Sequence, residues 1–287
     1  MCRFIAYIGK PLILDEVLFK PINSLIKQSS HAREMKEPLN GDGFGLGWYA
    51  PDIDTNPALF KSIQPAWNDL NLKYLARKIR SNCFFAHVRS ASMGGVSQDN
   101  CHPFQHKQYL FMHNGDIGGF DKIKRHIRRG LSDELYDFIQ GQTDSEHFFA
   151  LFLEKFNKSK ISFNANQVSS LLIETIHEVE DLKKIHHSTE GSYINAAITD
   201  GNSMVAVRYI SNPNDTPLSL YYTTGAQYEC IEGRCHIHHN NNDENKIVLI
   251  TSERLTDYHG EWYEIPVNHL LLVDNELVTT TIPFITS

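Results

Sequence analysis

Apolar residues recur with strand spacing at both ends of this chain and with helical spacing through its middle. Residues 2–8 read as a strand. A helical stretch over 15–28 follows, bent or interrupted at Pro21, whose ring cannot continue the hydrogen-bond ladder. Residues 44–49 form a short strand after the turn Asn40-Gly41-Asp42-Gly43. Between 68 and 80, Leu70, Leu72, Leu75, Ala76 and Ile79 share one face of an amphipathic helix. Residues 83–88 and 109–113 are apolar enough to be buried strands. Helices are predicted over 121–129, 144–156 and 167–184, the second opened by Thr143 and Glu146 at capping-box spacing. From Tyr193 onward the pattern is strand and turn: 193–199, 203–209, 218–223, 247–250, 269–273 and 276–281. Asp200-Gly201 and Asp274-Asn275 supply hairpin turns. The polar stretch 231–246 reads as a surface loop. Strands at both ends with helices between them predict an α+β layered fold. Nothing resembles a flexible linker, so one domain over 2–287 is the simpler expectation.

Composition narrows the function classes. A chain of 287 residues can bury a full core, and 41% hydrophobic with 21% charged residues is ordinary for a globular protein. A formal charge of -7 argues against nucleic-acid binding by phosphate neutralisation. No apolar run approaches the roughly 20 residues that span a bilayer, so no membrane partner is expected. The start, Met1-Cys2-Arg3-Phe4-Ile5-Ala6-Tyr7-Ile8-Gly9, lacks the form of a signal peptide. Five cysteines are few and odd in number, which fits a reducing compartment better than a disulfide framework. The expected location is cytoplasmic.

Cys2 is the first residue with chemical promise. Removal of Met1 would leave a thiol and a free α-amine on one residue. That amine, with an ordinary pKa of about 7.7–8.0, can accept the thiol proton near neutral pH. The competing reading is a small buried residue that starts a strand. Past the strand at 83–88, Arg89 offers a planar fork for a carboxylate, or for a structural ion pair. Asn114 and Gly115 end another strand. Together they can present two neutral donors to an oxyanion, or simply make an Asn-Gly turn. Asp144 opens a helix, where it can receive an ammonium group or merely complement the helix dipole. His102 is a supporting hydrogen-bonding residue or an ordinary structural histidine.

Taken in order, these segments resemble the class II glutamine amidotransferases. The resemblance rests on terminal Cys2, Ala86-His87-Val88-Arg89-Ser90-Ala91-Ser92, His102-Pro103, His113-Asn114-Gly115 and Thr143-Asp144-Ser145-Glu146. Gly43-Phe44-Gly45-Leu46-Gly47-Trp48-Tyr49 and Thr251-Ser252-Glu253-Arg254-Leu255 are similar to the stand-alone subgroup called YafJ-like. The resemblance implies a four-layer αββα sandwich of the N-terminal-nucleophile hydrolase type, with two stacked, mostly antiparallel sheets. It implies Cys2 as nucleophile with its α-amine as base, and Asn114 with the Gly115 N–H as oxyanion hole. Arg89, assisted by Ser92, would bind the substrate α-carboxylate, Asp144 its ammonium group, and His102 would support the pocket. Many members follow the arginine with tryptophan and then Ala-Thr-His. Here Ser90, Ala91, Ser92 and Met93 follow it, which changes the pocket wall.

The implied activity is attack on the γ-carboxamide of glutamine or a γ-glutamyl compound, through a γ-glutamyl thioester, with no cofactor. Either the chain feeds ammonia to a separate synthase subunit or it hydrolyses γ-glutamyl amides alone. A non-catalytic amino-acid-binding or sensor protein on the same fold is the alternative. Cys230, Cys235, His236, His238 and His239 cluster in the polar loop, but their spacing matches no standard zinc pattern. No metal is expected there.

Overall fold

The computed structural model describes residues 2–35, 37–91, 94–231, 233–238, 246–257 and 261–285. Ser92 and His239, both singled out above, lie outside the described residues. The chain opens with strand β1 (Arg3–Ile13), helices α1 (Asp15–Leu18) and α2 (Leu25–His31), and strands β2 (Phe44–Ala50) and β3 (Asp54–Ser62). Helix α3 (Leu70–Ala76) leads to β4 (Arg80–Val88), and β5 (Phe104–His106) pairs with β6 (Tyr109–Asp116). The helical middle is α4 (Phe120–Arg129), α5 (Asp133–Phe138), α6 (Asp144–Ser159) and α7 (Ala165–Ile185). Strands β7 (Tyr193–Thr199), β8 (Met204–Ile210), β9 (Tyr221–Gly225), β10 (Gln227–Ile231), β11 (Arg234–His238) and β12 (Ile247–Thr251) follow. Strands β13 (Tyr263–Glu264), β14 (His269–Val273) and β15 (Thr279–Pro283) complete the described elements.

These strands build two large sheets, ordered β13-β9-β12-β1-β4-β2-β3 and β15-β14-β8-β7-β6-β5, with antiparallel pairing throughout. Side chains alternate faces along a strand, so the buried clusters reveal the layering. Phe4, Ala6 and Ile8 of β1 share one cluster with Leu110 and Met112 of β6 and Ala197 of β7, and this cluster lies between the sheets. The opposite face of the first sheet, through Ile5, Tyr7 and Phe84, packs on α1 and α2. The outer face of the second, through Phe111, Ile194 and Val207, packs on α6 and α7. The result is helix, sheet, sheet, helix: the expected αββα arrangement.

Local differences have local causes. The helix expected over 15–28 is two short helices flanking Pro21, with Ser24 capping the second through Lys27 N. The helix expected over 68–80 shortens to α3, because Arg80 already pairs with Ile13 as strand. Thr143 caps α6 by accepting from Glu146 N at 3.2 Å, but Glu146 does not return the bond to Thr143. Its carboxylate accepts from Gln140 N and Gly141 N instead, and so ties down the segment before the helix.

Two expectations about residues 227–246 are corrected. The loop expected over 231–246 begins as an antiparallel hairpin, β10 against β11, extending to His238. Cys230 and Cys235 sit directly opposite in that hairpin and form a disulfide, so the chain is not free of disulfides as its cysteine count suggested. Their sulfurs are thereby withdrawn as thiolate ligands for the metal reading of this segment.

Candidate active site

Strand parity assembles the site. Cys2, immediately before β1, has the parity of Phe4 and Ala6, so it belongs to the intersheet face. On β4, Cys83 and Phe85 face between the sheets, and His87 and Arg89 continue that row. On β6, Leu110 and Met112 do the same, and Asn114 follows. Arg3 pairs with Val88 at the end of the β1–β4 ladder, bringing Cys2 beside Arg89 and Ser90. The Cys2 sulfur accepts from Ser90 N at 3.4 Å. Burial raises the Cys2 thiol pKa, and the Ser90 N–H and the charges of Arg89 and Arg3 act against that rise.

Arg89 is 3% exposed and rigidly framed. Its N–H donates to Gly43 O at 2.8 Å, its carbonyl accepts from Asp42 N at 2.9 Å, and Nη1 donates to Gly95 O at 3.2 Å. Gly95 O also accepts from Asn100 Nδ2, while Asn100 Oδ1 accepts from Gln142 N. The loop carrying Arg89 is thus linked to the residues that lead into α6.

Asn114 is wholly buried, yet neither its Nδ2 nor its Oδ1 has a hydrogen-bond partner. An unpartnered buried amide costs on the order of 1–3 kcal/mol and calls for an explanation. Gly115 follows with φ +138°, and a Cβ there would stand 1.9 Å from Tyr193 O, so no side chain fits. Asp144, 4% exposed, is the first residue of α6. Its Oδ2 accepts from Ile117 N and its Oδ1 from Ser145 N, each at 2.8 Å, which docks the helix start onto the end of β6. On the other face of β6, His113 donates from Nε2 to Tyr193 O, and its Nδ1 bonds the Ser145 hydroxyl.

The rings of His102 and His87 are in contact, with centroids 4.2 Å apart and planes tilted by 35°. Burial, reinforced for His102 by the neighbouring imidazoles and cations, holds His102 well below the ordinary imidazole pKa and His87 at about 3. Both rings are therefore neutral at pH 7. The Gly45 position exists for this packing, because a Cβ there would meet His102 O at 2.2 Å.

The fold also brings here several residues that carry no local sequence signal of a role. Asn195 on β7 lies opposite Asn114, and Arg208 on β8 lies opposite Asn195, forming one cross-sheet row. Strand alternation could have marked their faces, but not their register. Glu253, fully buried, reaches Arg3 behind Cys2. A cavity of about 780 Å³ is lined by Glu34, Tyr193, Arg208, Ser219, Tyr221 and Glu264, among others. It adjoins the site through Tyr193, which packs on Gly115, and Ser219, whose carbonyl accepts from Asn195. Another cavity of about 640 Å³, beside Asn82, Asp200 and Asp274, touches none of the candidate residues.

The family profile of the class II glutamine amidotransferases matches residues 23–284. The chain belongs to that family. It is 36% identical over 297 residues to the probable glutamine amidotransferase DUG3 of Saccharomyces cerevisiae, covering 97% of this chain and 83% of that protein. It is 35% identical over 117 residues to the γ-glutamyl-hercynylcysteine sulfoxide hydrolase of Mycolicibacterium smegmatis, covering 40% of this chain and 51% of that one. Among solved structures, a glutamine aminotransferase class-II domain protein from Silicibacter pomeroyi superimposes with TM-score 0.66 at 25% identity, covering 98% of this chain and 99% of that one. The glutamine phosphoribosylpyrophosphate amidotransferase of B. subtilis shares the fold, with TM-score 0.62 at 13% identity over 99% of this chain and 50% of its own. For this member of the class II amidotransferases, the α+β fold of two stacked antiparallel sheets agrees with the family. No helix among the described residues is long and apolar enough to cross a membrane.

Proposed function

We propose that this protein is a γ-glutamyl amidohydrolase that uses Cys2, freed by loss of Met1, to attack the γ-carboxamide of glutamine or a γ-glutamyl compound. The observation that carries the reading is Asn114. A buried amide with both polar atoms unpartnered, on the same intersheet face as Cys2, is a donor held in readiness for a charge that arrives only during reaction.

In this reading the α-amine of Cys2 takes the thiol proton and the sulfur forms a bond to the γ-carbon. The carbonyl electron pair moves onto oxygen, where Asn114 Nδ2 and the Gly115 N–H receive it. Collapse breaks the carbon–nitrogen bond, and the protonated α-amine supplies the proton to the leaving nitrogen. Water then attacks the thioester, regenerates the thiol and releases the γ-carboxylate. Arg89 and Asp144 hold the α-carboxylate and α-ammonium of the glutamyl moiety, and the cavity beside Tyr193 and Ser219 receives whatever the γ-nitrogen carries. His102 and His87, neutral and in contact, support the wall next to Arg89. The whole described chain acts as one amidotransferase domain.

Mature protein, with Met1 loss verified by intact mass, should release ammonia from glutamine or amine from γ-glutamyl compounds. Cys2→Ala should abolish release. A panel run with and without a cell extract distinguishes a self-sufficient hydrolase from a subunit that needs a separate synthase. Glutamate-side binding without turnover by the mature protein would instead show an amino-acid sensor on this fold.

A further inference from the structure

We propose that Glu253 is a positioning residue for the Cys2 nucleophile, an inference that rests on reading Cys2 as the attacking group. Glu253 follows β12 and continues the β1–β12 ladder, in which Ile5 faces Thr251, to a position opposite Arg3. Both side chains lie on the helix-covered face of the sheet, directly behind the residue that carries the sulfur. Arg3 Nε donates to Glu253 Oε1 at 2.8 Å, with side-chain exposures of 1% and 0%. The rest of the same guanidinium holds the nucleophile's own backbone: Nη1 donates to Cys2 O at 3.0 Å, and Nη2 to Glu34 O at 3.3 Å.

The carboxylate collects further donors from two other segments. Arg33 N and Glu34 N donate to it at 3.0–3.1 Å, and Asn23 Nδ2 at 3.3 Å. Beside it, Ser252 exchanges two bonds with Phe4: Phe4 N donates to Ser252 Oγ, and Ser252 N to Phe4 O. One buried anion from the far end of the chain therefore fixes the carbonyl of Cys2 and the loop at 33–34 together.

A buried ion pair is weak support for stability, since apolar residues of similar volume often replace one without loss. Geometry is what this pair supplies. In an N-terminal nucleophile, base and sulfur hang on one Cα, and rotation about the adjoining backbone bonds changes where both point. Restraining the Cys2 carbonyl restrains that rotation. Glu253 also holds the backbone of Glu34, which lines the cavity proposed for the leaving group, so the readout that isolates the sulfur is its reactivity without substrate.

The test is the rate of iodoacetamide alkylation at the Cys2 peptide of mature protein, measured against pH without substrate, with turnover measured in parallel. Glu253→Gln should slow alkylation about tenfold or more and shift its pH midpoint; with glutamine, whose leaving group is only ammonia and does not fill the Glu34 cavity, kcat should fall with KM little changed. Glu253→Asp, which keeps the charge, should recover part of the rate. The pair Arg3→Met with Glu253→Leu removes both charges but leaves Arg33 N, Glu34 N and Asn23 Nδ2 without their acceptor, so a lowered unfolding temperature is expected; below that temperature its sulfur should stay slow. Asp257→Ala, which breaks the exposed pair with Arg33, should change nothing. A folded Glu253 variant that alkylates with wild-type rate and pH midpoint overturns the proposal, even if hydrolysis by the wild type is confirmed. Wild-type protein that alkylates normally but hydrolyses no γ-glutamyl compound overturns the proposed activity and leaves the positioning result to be read from the variants.

Discussion

Asn114 and Asn195 face each other across β6 and β7 on the same side of the sheet, yet only one of them is tied down. Asn195 donates from Nδ2 to Ser219 O at 3.0 Å, whereas the amide of Asn114 bonds nothing. Two identical side chains on neighbouring strands thus have different surroundings, and the proposed mechanism gives the unbonded one the task of oxyanion donor.

That difference predicts opposite mutational signatures. Asn114→Ala should lower kcat on the order of 10²–10³-fold, as for loss of one oxyanion donor. It should barely change the unfolding temperature, because no native hydrogen bond is lost. Asn195→Ala should instead destabilise by about 1 kcal/mol through the orphaned Ser219 carbonyl, with a smaller effect on kcat. Steady-state kinetics and thermal unfolding of the two variants check this directly.

Asp144 joins α6 to the end of β6, and the proposed mechanism gives it a second role as acceptor of the substrate ammonium group. Asp144→Asn removes the charge and leaves one oxygen to serve two N–H groups. The expected outcome is a KM for glutamine raised about tenfold or more with a smaller change in kcat, and a stability loss of about 1 kcal/mol. Kinetics and urea unfolding on the same preparation separate the two effects.

Gly115→Ala should be among the most damaging single-methyl changes in the chain. The new Cβ would lie 1.9 Å from Tyr193 O at a φ of +138°. Relief requires β6 and β7 to part, so a destabilisation of about 3 kcal/mol or more is expected, visible as a lowered urea midpoint or loss of soluble expression.

Acid should unfold the protein in a window set by buried histidines. Burial lowers the folded pKa of His87 from 6.5 to about 3 and that of His147 to about 4, and His102 moves the same way. Above pH 6.5 these rings are neutral in both states and contribute no slope. Below it the unfolded chain binds protons that the native protein refuses, so stability falls as pH drops, until the folded pKa values are reached. Each ring contributes about 1.4 kcal/mol per pH unit in that window. Urea midpoints measured between pH 7 and pH 4 should show it, and His87→Gln should flatten the slope by one proton.

Much of this architecture was open to reading from residue pattern. The strands around 2–8, 83–88 and 193–199 and the helices of the middle third came from apolar spacing, because burial on one face imposes period 2 or 3.6 directly on the sequence. The edge strand β3 has no such spacing: most of its residues face solvent and it contains Pro57, so no buried face is imprinted on it. The hairpin of β10 and β11 was hidden by its polar composition, and its disulfide by the fact that a cysteine count does not specify pairing. Glu146 looked like half of a reciprocal cap, and only the folded chain turned its carboxylate toward Gly141.

The linear sequence by itself determined the chemistry on offer: a thiol at position 2, an arginine fork, an Asn-Gly pair and an acidic helix start, in an order that identifies the family. Tertiary structure alone decided which of these meet. Register across β6, β7 and β8 aligned Asn114 with Asn195 and Arg208, and ladder pairing brought Glu253 to Arg3, 250 residues away in the chain and directly behind Cys2. The reason is physical: face alternation is a local property of each strand, whereas register and sheet order depend on long-range pairing that no single segment encodes.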